Sequence, residues 1–368
     1  MVKVEGGSVG GVLAMLPLLV IVGVLHDVAA VEATPSRCDF PAIYNFGDSN
    51  SDTGGISAAF YQMAAPDGET YFHRPAGRAS DGRLIIDFIA EHLGLPHLSA
   101  YLDSLGTSYQ HGANFATGGA TIRRQNESWF LNGVSPFSLD IQMAQFDQFK
   151  NRSAYLYGSL RNDLAAGFRN LSYAHVERLN ETIPDIVNQF AESVQHLYDQ
   201  GARTFWIHNT GPIGCLAITI QAVHDPMPGY LDKQGCVKDQ NDMASEFNRQ
   251  LKEKVGQLRR QLPEAALTYI DVYSAKYGLI GAAKEQGFGD PTRICCGVQY
   301  KDKHVWCGQS ADFNGTKLYA GSCKDPSSFV SWDGVHYTEA ANHWLADRIV
   351  NGSFSDSSSP ILRSCLGF

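Results

Sequence analysis

Positive charge is scarce in this chain of 368 residues: 29 lysines and arginines stand against 38 aspartates and glutamates, a formal net charge of −9. Nucleic acids and anionic membrane surfaces both recruit proteins through basic patches. The charge balance therefore argues against either as a partner. The sequence also lacks internal repeats and long low-complexity linkers, and with 44% hydrophobic residues it can build one large core.

Long apolar runs are missing outside the N-terminus. There, Lys3 precedes an apolar stretch at residues 12–25, and alanines follow between residues 29 and 33. This order is typical of a cleaved secretory signal, and the stretch is shorter than the roughly 20 residues that a membrane span requires. We predict a signal peptide at residues 1–33, a single domain at residues 34–368, and no membrane span after cleavage. A retained membrane anchor is the alternative.

Cys-x-x-Cys pairs, which are typical of structural zinc sites, are absent from the sequence. All eight cysteines follow the predicted cleavage point, and an even number in an oxidising compartment indicates disulfide bonds. We therefore favour disulfides over a zinc site, with the adjacent Cys295 and Cys296 bridging to different partners. Export is also supported by six Asn-x-Ser/Thr sequons, which predict glycosylation at Asn126, Asn151, Asn170, Asn180, Asn314 and Asn351.

Helical and strand patterns alternate along the chain. Short apolar runs predict strands at residues 42–46, 204–207 and 267–272, and apolar stripes predict helices at residues 55–63, 83–93, 183–198, 239–262 and 338–349. Such alternation is typical of a parallel sheet with helices on both faces. Ligands of these sheets bind beyond the carboxyl ends of the strands, where Ser49 is expected to lie.

Two short motifs carry the residue types of nucleophilic catalysis. Residues 46–50 read Phe-Gly-Asp-Ser-Asn, and residues 332–336 read Trp-Asp-Gly-Val-His. A serine hydroxyl attacks a carbonyl only when a base takes its proton and an acid orients that base. We predict Ser49 as nucleophile, His336 as base and Asp333 as orienting carboxylate. An Asp-x-x-His pair alone is more often an exposed loop feature, so the interpretation depends on both motifs together.

Five blocks of the sequence resemble the plant GDSL esterase/lipase family of the SGNH hydrolase superfamily: residues 45–55, 80–88, 112–120, 206–215 and 332–336. Asn50 stands where the family name has leucine, as in early-nodulin-like and fucosidase-like members. The resemblance implies an α/β fold of the flavodoxin-like type, with three α/β/α layers and a central parallel sheet. It also implies ester hydrolysis through an acyl-Ser49 intermediate, without a metal or cofactor.

The resemblance further implies an oxyanion hole with three donors. These are the N–H of Ser49, the N–H of Gly119 in preference to Gly118, and the side chain of Asn162. The third donor departs from the family pattern, which has Gly-x-Asn-Asp at the end of an apolar strand, whereas residues 160–163 read Leu-Arg-Asn-Asp. The stretch before it is short, and Tyr-Leu-Tyr at residues 155–157 is the candidate strand. Either part of a strand is lost, or a rearranged loop delivers Asn162.

We predict a secreted serine esterase of the extracellular space or cell wall. Its expected substrates are acetyl or other short acyl esters on cell-wall polysaccharides or glycosylated small molecules, with no obligate protein partner. The alternative is a catalytically impaired glycoprotein that binds carbohydrate, because the block at residues 160–162 is degenerate. Glycoside hydrolysis is a third hypothesis, but no carboxylate pair with suitable spacing supports it.

Overall fold

A five-stranded parallel sheet forms the centre of the fold in the computed structural model, which describes residues 40–125, 133–157, 164–169, 179–300, 303–313 and 315–356. Its strands are β1 (Ala42–Gly47), β2 (Gly112–Asn114), β3 (Leu164–Arg169), β4 (Thr204–His208) and β5 (Ala266–Ile270), in the order β2-β1-β3-β4-β5. Two hairpins follow, β6 (Val298–Tyr300) with β7 (Lys303–Val305) and β8 (Ser310–Phe313) with β9 (Thr316–Tyr319). The predicted strands β1, β4 and β5 are confirmed.

Eight α-helices occur in the described part of the chain. They are α1 (Gly55–Ala59), α2 (Ile85–His92), α3 (Leu139–Tyr157), α4 (Leu179–Asp199), α5 (Ala217–Gln221), α6 (Lys238–Gln261), α7 (Val272–Gly281) and α8 (Glu339–Val350). Thr338 caps α8 by accepting a hydrogen bond of 3.2 Å from the N–H of Ala341. None of these described helices is both long and apolar enough to cross a membrane.

Neighbouring residues of a strand point to opposite faces of a sheet, and those of β4 pack in two separate clusters with helices. Phe205 on β4 packs in a buried cluster with α3, α4 and α6, whereas Trp206 packs in a second cluster with α2, α7 and α8. The apolar stripe predicted on α4 is buried in the first cluster, from Ile183 to Leu197. The carboxyl ends of the parallel strands lie along one edge of the sheet. This edge is where the candidate site is found.

The strand predicted at residues 155–157 is wrong. These residues end helix α3, and the strand that pairs with β1 is β3, with Ala42 opposite Leu164. Charged and polar residues at 150–152 precede the Tyr-Leu-Tyr triplet and continue as helix, while the uninterrupted run Leu-Ala-Ala-Gly-Phe supplies the strand. The strand therefore begins after Asn162 rather than ending before it. Asn162 itself lies outside the described residues.

Three disulfides join cysteines of the described part: Cys215–Cys236, Cys295–Cys323 and Cys296–Cys307. The expectation that the adjacent Cys295 and Cys296 bridge to different partners is confirmed. The predicted signal peptide, Cys38, Cys365 and the sequons at Asn126, Asn170 and Asn314 lie outside the described residues. Of the remaining sequon asparagines, Asn151 on α3 and Asn351 after α8 are exposed, and Asn180 lies on α4.

Candidate active site

Ser49 lies on a tight turn at the carboxyl end of β1. Asp48 shapes this turn, since its Oδ1 accepts hydrogen bonds from the backbone N–H of Asn50 at 2.9 Å and from the Asn50 side chain at 3.1 Å. The N–H of Ser51 closes the turn on the carbonyl of Asp48 at 3.0 Å. Asp48 therefore caps backbone groups of the turn, and Ser49 is partly exposed at the sheet edge.

Gln142 on α3 holds the strand end from the other side. Its Oε1 accepts the N–H of Gly47 at 2.9 Å, and its Nε2 donates to the carbonyl of Gly47, also at 2.9 Å. The same Nε2 lies 3.0 Å from the carbonyl of Phe137. A buried amide with all of these bonds fixes the backbone two residues before Ser49. The sequence predictions missed Gln142, because one glutamine on a helix carries no motif.

A pair of buried asparagines supports the turn from below. The Asn45 side chain on β1 donates to Asn114 Oδ1 on β2 at 2.8 Å. Both amide groups also donate to the carbonyl of Ser51, Asn114 at 2.6 Å and Asn45 at 3.3 Å. Asn114 further donates to Thr53 Oγ1 at 2.9 Å. The backbone after Ser49 is therefore tied to two strands of the sheet.

Asp52 connects α1 to the glycine loop at residues 117–120. Its carboxylate accepts the N–H groups of Gly54, Gly55 and Ile56 at the start of α1. It also accepts the N–H of Gly118 at 2.7 Å. Burial raises the pKa of Asp52, and these N–H donors oppose that rise by stabilising the carboxylate.

Gly119 is the loop residue that keeps a backbone donor available. The N–H of Gly118 is occupied by Asp52, whereas none of the described residues accepts a hydrogen bond from the N–H of Gly119. Gly119 has a φ of +73°, a conformation that favours glycine, and its carbonyl accepts the N–H of Ser135 at 2.9 Å. A free backbone N–H of this kind can donate a hydrogen bond to an oxyanion.

His336 joins the two sequence motifs. Its Nε2 lies 2.8 Å from Ser49 Oγ, and its Nδ1 lies 2.6 Å from Asp333 Oδ2. The other carboxylate oxygen of Asp333 accepts the N–H groups of Val335 and His336 at 2.9 and 2.7 Å. Asp333 is thereby fixed by its own loop while it binds the imidazole. Such a chain of hydrogen bonds can move a proton from a hydroxyl to an imidazole.

Gly334 allows this loop to turn. Its φ is +99°, and a Cβ at this position would lie 3.0 Å from Cδ1 of Ile294 and 3.1 Å from Cβ of Ile218. The carbonyl of Gly334 accepts the N–H of Ile218 at 3.1 Å, and its N–H donates to Ser331 Oγ at 3.0 Å. Only glycine satisfies both the backbone conformation and the space between Asp333 and His336.

The negative charges around His336 stabilise its protonated form. Burial lowers the pKa of His336, but the charge and hydrogen bond of Asp333 outweigh burial, and the pKa is raised above its ordinary value. Burial raises the pKa of Asp333, but the charge and hydrogen bonds of His336 hold it below its usual range. Burial also raises the pKa of Asp48 to about 6, against the opposing effects of Asn50, His336 and Lys276.

Two further groups of contacts hold the loop of residues 332–336. The carbonyl of Trp332 accepts the N–H of Cys296 at 2.6 Å, and Trp332 packs on the disulfides of Cys295 and Cys296. On its other side, Ser80 Oγ donates to the carbonyl of Tyr337 at 3.1 Å. The Asp81 carboxylate accepts the N–H of Glu339 at 2.7 Å, at the start of α8. Ser80 and Asp81 belong to a block that carries the family resemblance, but the sequence did not predict their contacts with this loop.

The structure therefore brings together three of the five residues predicted for the site, namely Ser49, Asp333 and His336. Gly119 lies in the described loop with its N–H available, and Asn162 lies outside the described residues. The Asp67 carboxylate, which accepts the indole N–H of Trp332 at 2.8 Å, was not predicted. No local pattern marks it, since its partner is distant in sequence.

Comparisons with known proteins show the family to which the chain belongs. The model of the GDSL-like lipase/acylhydrolase family matches residues 43–349. A GDSL esterase/lipase of Arabidopsis thaliana is 57% identical over 366 residues, which cover 93% of both chains. An esterase of Hevea brasiliensis is 48% identical over 89% of this chain and 90% of its own. Alpha-L-fucosidase 3 of Arabidopsis thaliana is 46% identical over 86% of this chain and 91% of its own. The chain belongs to the GDSL-like lipase/acylhydrolase family and is a hydrolase acting on ester bonds.

Proposed function

We propose that the protein is a serine esterase in which Ser49, His336 and Asp333 form the catalytic triad. The observation that carries this proposal is the continuous contact from Ser49 Oγ to His336 Nε2 at 2.8 Å and from His336 Nδ1 to Asp333 at 2.6 Å. Ser49 Oγ attacks the acyl carbonyl while His336 takes its proton. Asp333 keeps the Nδ1 proton in place and stabilises the imidazolium.

The acyl-enzyme forms and breaks through two tetrahedral intermediates. In the first, His336 returns the proton to the leaving alcohol, and the acyl group remains on Ser49. A water molecule then attacks the ester carbon and loses a proton to His336. His336 gives this proton to Ser49 Oγ as the bond between Ser49 and the acyl carbon breaks, which releases the carboxylic acid and restores the serine hydroxyl. The residues named in this mechanism carry each proton transfer without a metal or cofactor.

The developing oxyanion needs prealigned donors. We propose the N–H groups of Ser49 and Gly119 as two of them, supported by the use of the Gly118 N–H by Asp52. The side chain of Asn162 is the proposed third donor. Loss of one such donor typically reduces the rate by about 10²–10³-fold. An enzyme with only two donors would still exceed the uncatalysed rate.

The compartment and substrate class are part of the same proposal. The apolar N-terminal stretch, the sequons and the disulfides support a secreted glycoprotein of the cell wall or extracellular space. Its proposed substrates are acetyl or other short acyl esters on polysaccharides or glycosylated small molecules, with no obligate protein partner. The parallel sheet and its two helix-packed faces support the flavodoxin-like three-layer α/β/α arrangement of the SGNH hydrolase fold.

One observation favours a second candidate function, a glycoprotein that binds carbohydrate without turning it over. The Leu-Arg-Asn-Asp block at residues 160–163 precedes β3, whereas the family pattern places it after an apolar strand. A misplaced third donor would weaken catalysis and leave binding intact. The intact contacts among Ser49, His336 and Asp333 favour the enzyme.

Hydrolysis of p-nitrophenyl acetate by the secreted, deglycosylated protein tests the proposal. We expect turnover in the wild type, its loss in Ser49→Ala and His336→Ala, and its retention in Ser57→Ala on the neighbouring helix α1. A fluorophosphonate probe should label the wild type and not Ser49→Ala, with circular dichroism to show that each variant folds. A folded wild type that neither turns over nor labels would reject the esterase in favour of the carbohydrate binder. Turnover of an aryl fucoside that persists in Ser49→Ala would reject the triad in favour of glycoside hydrolysis.

A further inference from the structure

Asp67 is a buried carboxyl group next to the proposed triad that the mechanism above does not use. Its side chain is held in a turn that is fixed to the Ser80–Asp81 block. The N–H of Gly68 donates to the carbonyl of Ser80 at 2.8 Å, and Thr70 Oγ1 donates to Asp81 Oδ2 at 2.5 Å. Only 8% of Asp67 is exposed, so its carboxyl group cannot simply turn toward solvent.

Asp67 binds the residue that precedes the orienting carboxylate. Its Oδ1 accepts the indole N–H of Trp332 at 2.8 Å, and Trp332 is fully buried at 0% exposure. On its other side Trp332 packs on the disulfide-bonded Cys295 and Cys296. A fully buried indole N–H without an acceptor is unfavourable, so Asp67 fixes the position of Trp332 and of the adjacent Asp333.

The charge of Asp67 also acts on the catalytic pair. Burial raises the pKa of Asp67 to about 7, a rise that the charges of Asp333 and Asp81 increase. The hydrogen bond from Trp332 and the charge of His336 oppose it. In the reverse direction, the negative charge of Asp67 contributes to the raised pKa of His336. Asp67 and His336 therefore influence each other's protonation.

Other ionisable groups near Asp67 and His336 also shift the pKa values of these two residues. His336 faces Asp333 and Asp48 as well as Asp67, and Lys276 on α7 acts on Asp48. Asp67 faces Asp333, Asp81 and His336. Its negative charge also contributes to the raised pKa of Tyr61. The carboxylates Asp48 and Asp333 are bound to donors of their own loops. Asp67 differs from them in that its bond links two segments far apart in the sequence.

We propose that Asp67 is a positioning residue that holds Trp332 and the Asp333–His336 pair in place and sets the pH below which His336 stops acting as a base. This inference depends on the proposed role of His336. When Asp67 is ionised, its negative charge favours the imidazolium. When pH falls and Asp67 binds a proton, that charge disappears and the neutral imidazole persists to lower pH. Asp67 thus raises the pH below which His336 stops acting as a base, and this effect weakens as Asp67 becomes protonated.

Two substitutions separate the hydrogen bond from the charge. Asp67→Asn keeps an oxygen acceptor for Trp332 and removes the charge, whereas Asp67→Ala removes both. The control is Glu69→Gln, which removes one charge from the same turn at a half-buried position. The readout is the pH dependence of kcat/KM on p-nitrophenyl acetate between pH 4 and 9.

We expect the acid limb of Asp67→Asn to lie about half a pH unit or more below that of the wild type, because the charge that raises the pKa of His336 is gone. Its plateau rate should stay within about threefold of the wild type, and Asp67→Ala should lose about tenfold in kcat, since Trp332 then lacks an acceptor. Glu69→Gln should reproduce the wild-type profile. Equal acid limbs in the wild type, Asp67→Asn and Glu69→Gln would overturn the proposal.

A second measurement reads His336 directly. In the inactive Ser49→Ala background, the imidazole C–H resonances of His336 can be titrated by NMR with and without Asp67→Asn. We expect a lower pKa of His336 in the Asp67→Asn protein, and an unchanged pKa contradicts the role of Asp67. Turnover that does not depend on Ser49 would reject the proposed triad instead, so the two failures are distinguishable.

Discussion

The hydrogen bond between Asp333 and His336 raises the pKa of His336 and lowers the pKa of Asp333. Its removal should therefore lower the pKa of His336. The pKa of His336 is raised and that of Asp333 is lowered, because each stabilises the charged form of the other against burial. Only neutral imidazole accepts the serine proton, so wild-type kcat/KM should fall as pH drops through the raised pKa of His336.

In Asp333→Asn, burial remains and the stabilising charge is lost, so we expect the acid limb to move to lower pH. The plateau of kcat should fall by about 10³–10⁴-fold, because the imidazole loses its orientation and its partner as it becomes charged. The measurement is a pH–rate profile, and Asp347→Asn on the exposed part of α8 is the control. An acid limb at or above that of the wild type would contradict the assignment of Asp333.

Contacts between residues of the two local motifs could be predicted from the sequence, and contacts that support these residues from elsewhere could not. Ser49, Asp333 and His336 each lie in a short pattern with a chemical requirement, and the structure brings their side chains into contact. Asp67 meets Trp332 across 265 positions, and Gln142 meets Gly47 across 95. Such contacts depend on the complete fold, and no periodicity or spacing in one sequence indicates them.

Among the helices, α3 supports the candidate site, because its Gln142 binds the backbone of Gly47 at the carboxyl end of β1. We predict that Gln142→Ala lowers the free energy of unfolding by about 2 kcal/mol, since the N–H of Gly47 loses its side-chain acceptor and the carbonyl of Gly47 keeps only the N–H of Thr117. The backbone before Ser49 would also gain freedom, so kcat should fall about tenfold with a smaller change in KM.

Urea denaturation and steady-state kinetics measure the two effects of Gln142→Ala. The control is Gln148→Ala, an exposed position on the same helix, which changes helix propensity without touching β1. If Gln148→Ala and Gln142→Ala lose the same stability and the same activity, the link between α3 and Ser49 is refuted.

Elements with strong apolar patterns were predicted well, and elements without them were not. Helices α4, α6 and α8 have stripes or caps, and their observed bounds lie close to the predicted ones. Helix α3 mixes polar and apolar residues, so its end at residues 155–157 was assigned to a strand. Strand β2 is only three residues long, and the two hairpins are short and exposed in part, which gives little periodicity to detect.

At the scale of the whole molecule, the site exists only because distant parts of the chain meet. His336 contacts Ser49 across 287 positions, and the described residues between them supply β2, β3, β4 and β5 of the sheet. The sheet fixes Ser49, whereas the loop of His336 is fixed largely by bonds to Cys296, Ser80 and Asp67. Loss of the disulfides near Trp332 should therefore affect the two halves of the site unequally.

The final prediction concerns the disulfide Cys296–Cys307, which encloses 11 positions and lies beside Trp332. The double variant Cys296→Ala/Cys307→Ala should lose about 3 kcal/mol of stability, the amount expected from the closure of a loop of this size. In samples of the double variant that circular dichroism shows to be folded at 25 °C, kcat should fall about tenfold, because Trp332 and the backbone N–H of Cys296 hold the loop that carries His336.

The matched comparison is Cys215→Ala/Cys236→Ala, whose loop spans 21 positions and whose sulfurs pack near Ile280 rather than Trp332. It should lose a similar amount of stability, about 3 kcal/mol, and retain most of its kcat. Thermal unfolding and p-nitrophenyl acetate kinetics on the same samples separate the two effects. Equal losses of kcat in both double variants would mean that disulfides support the fold in general, and that the position of His336 does not depend on the bridge beside Trp332.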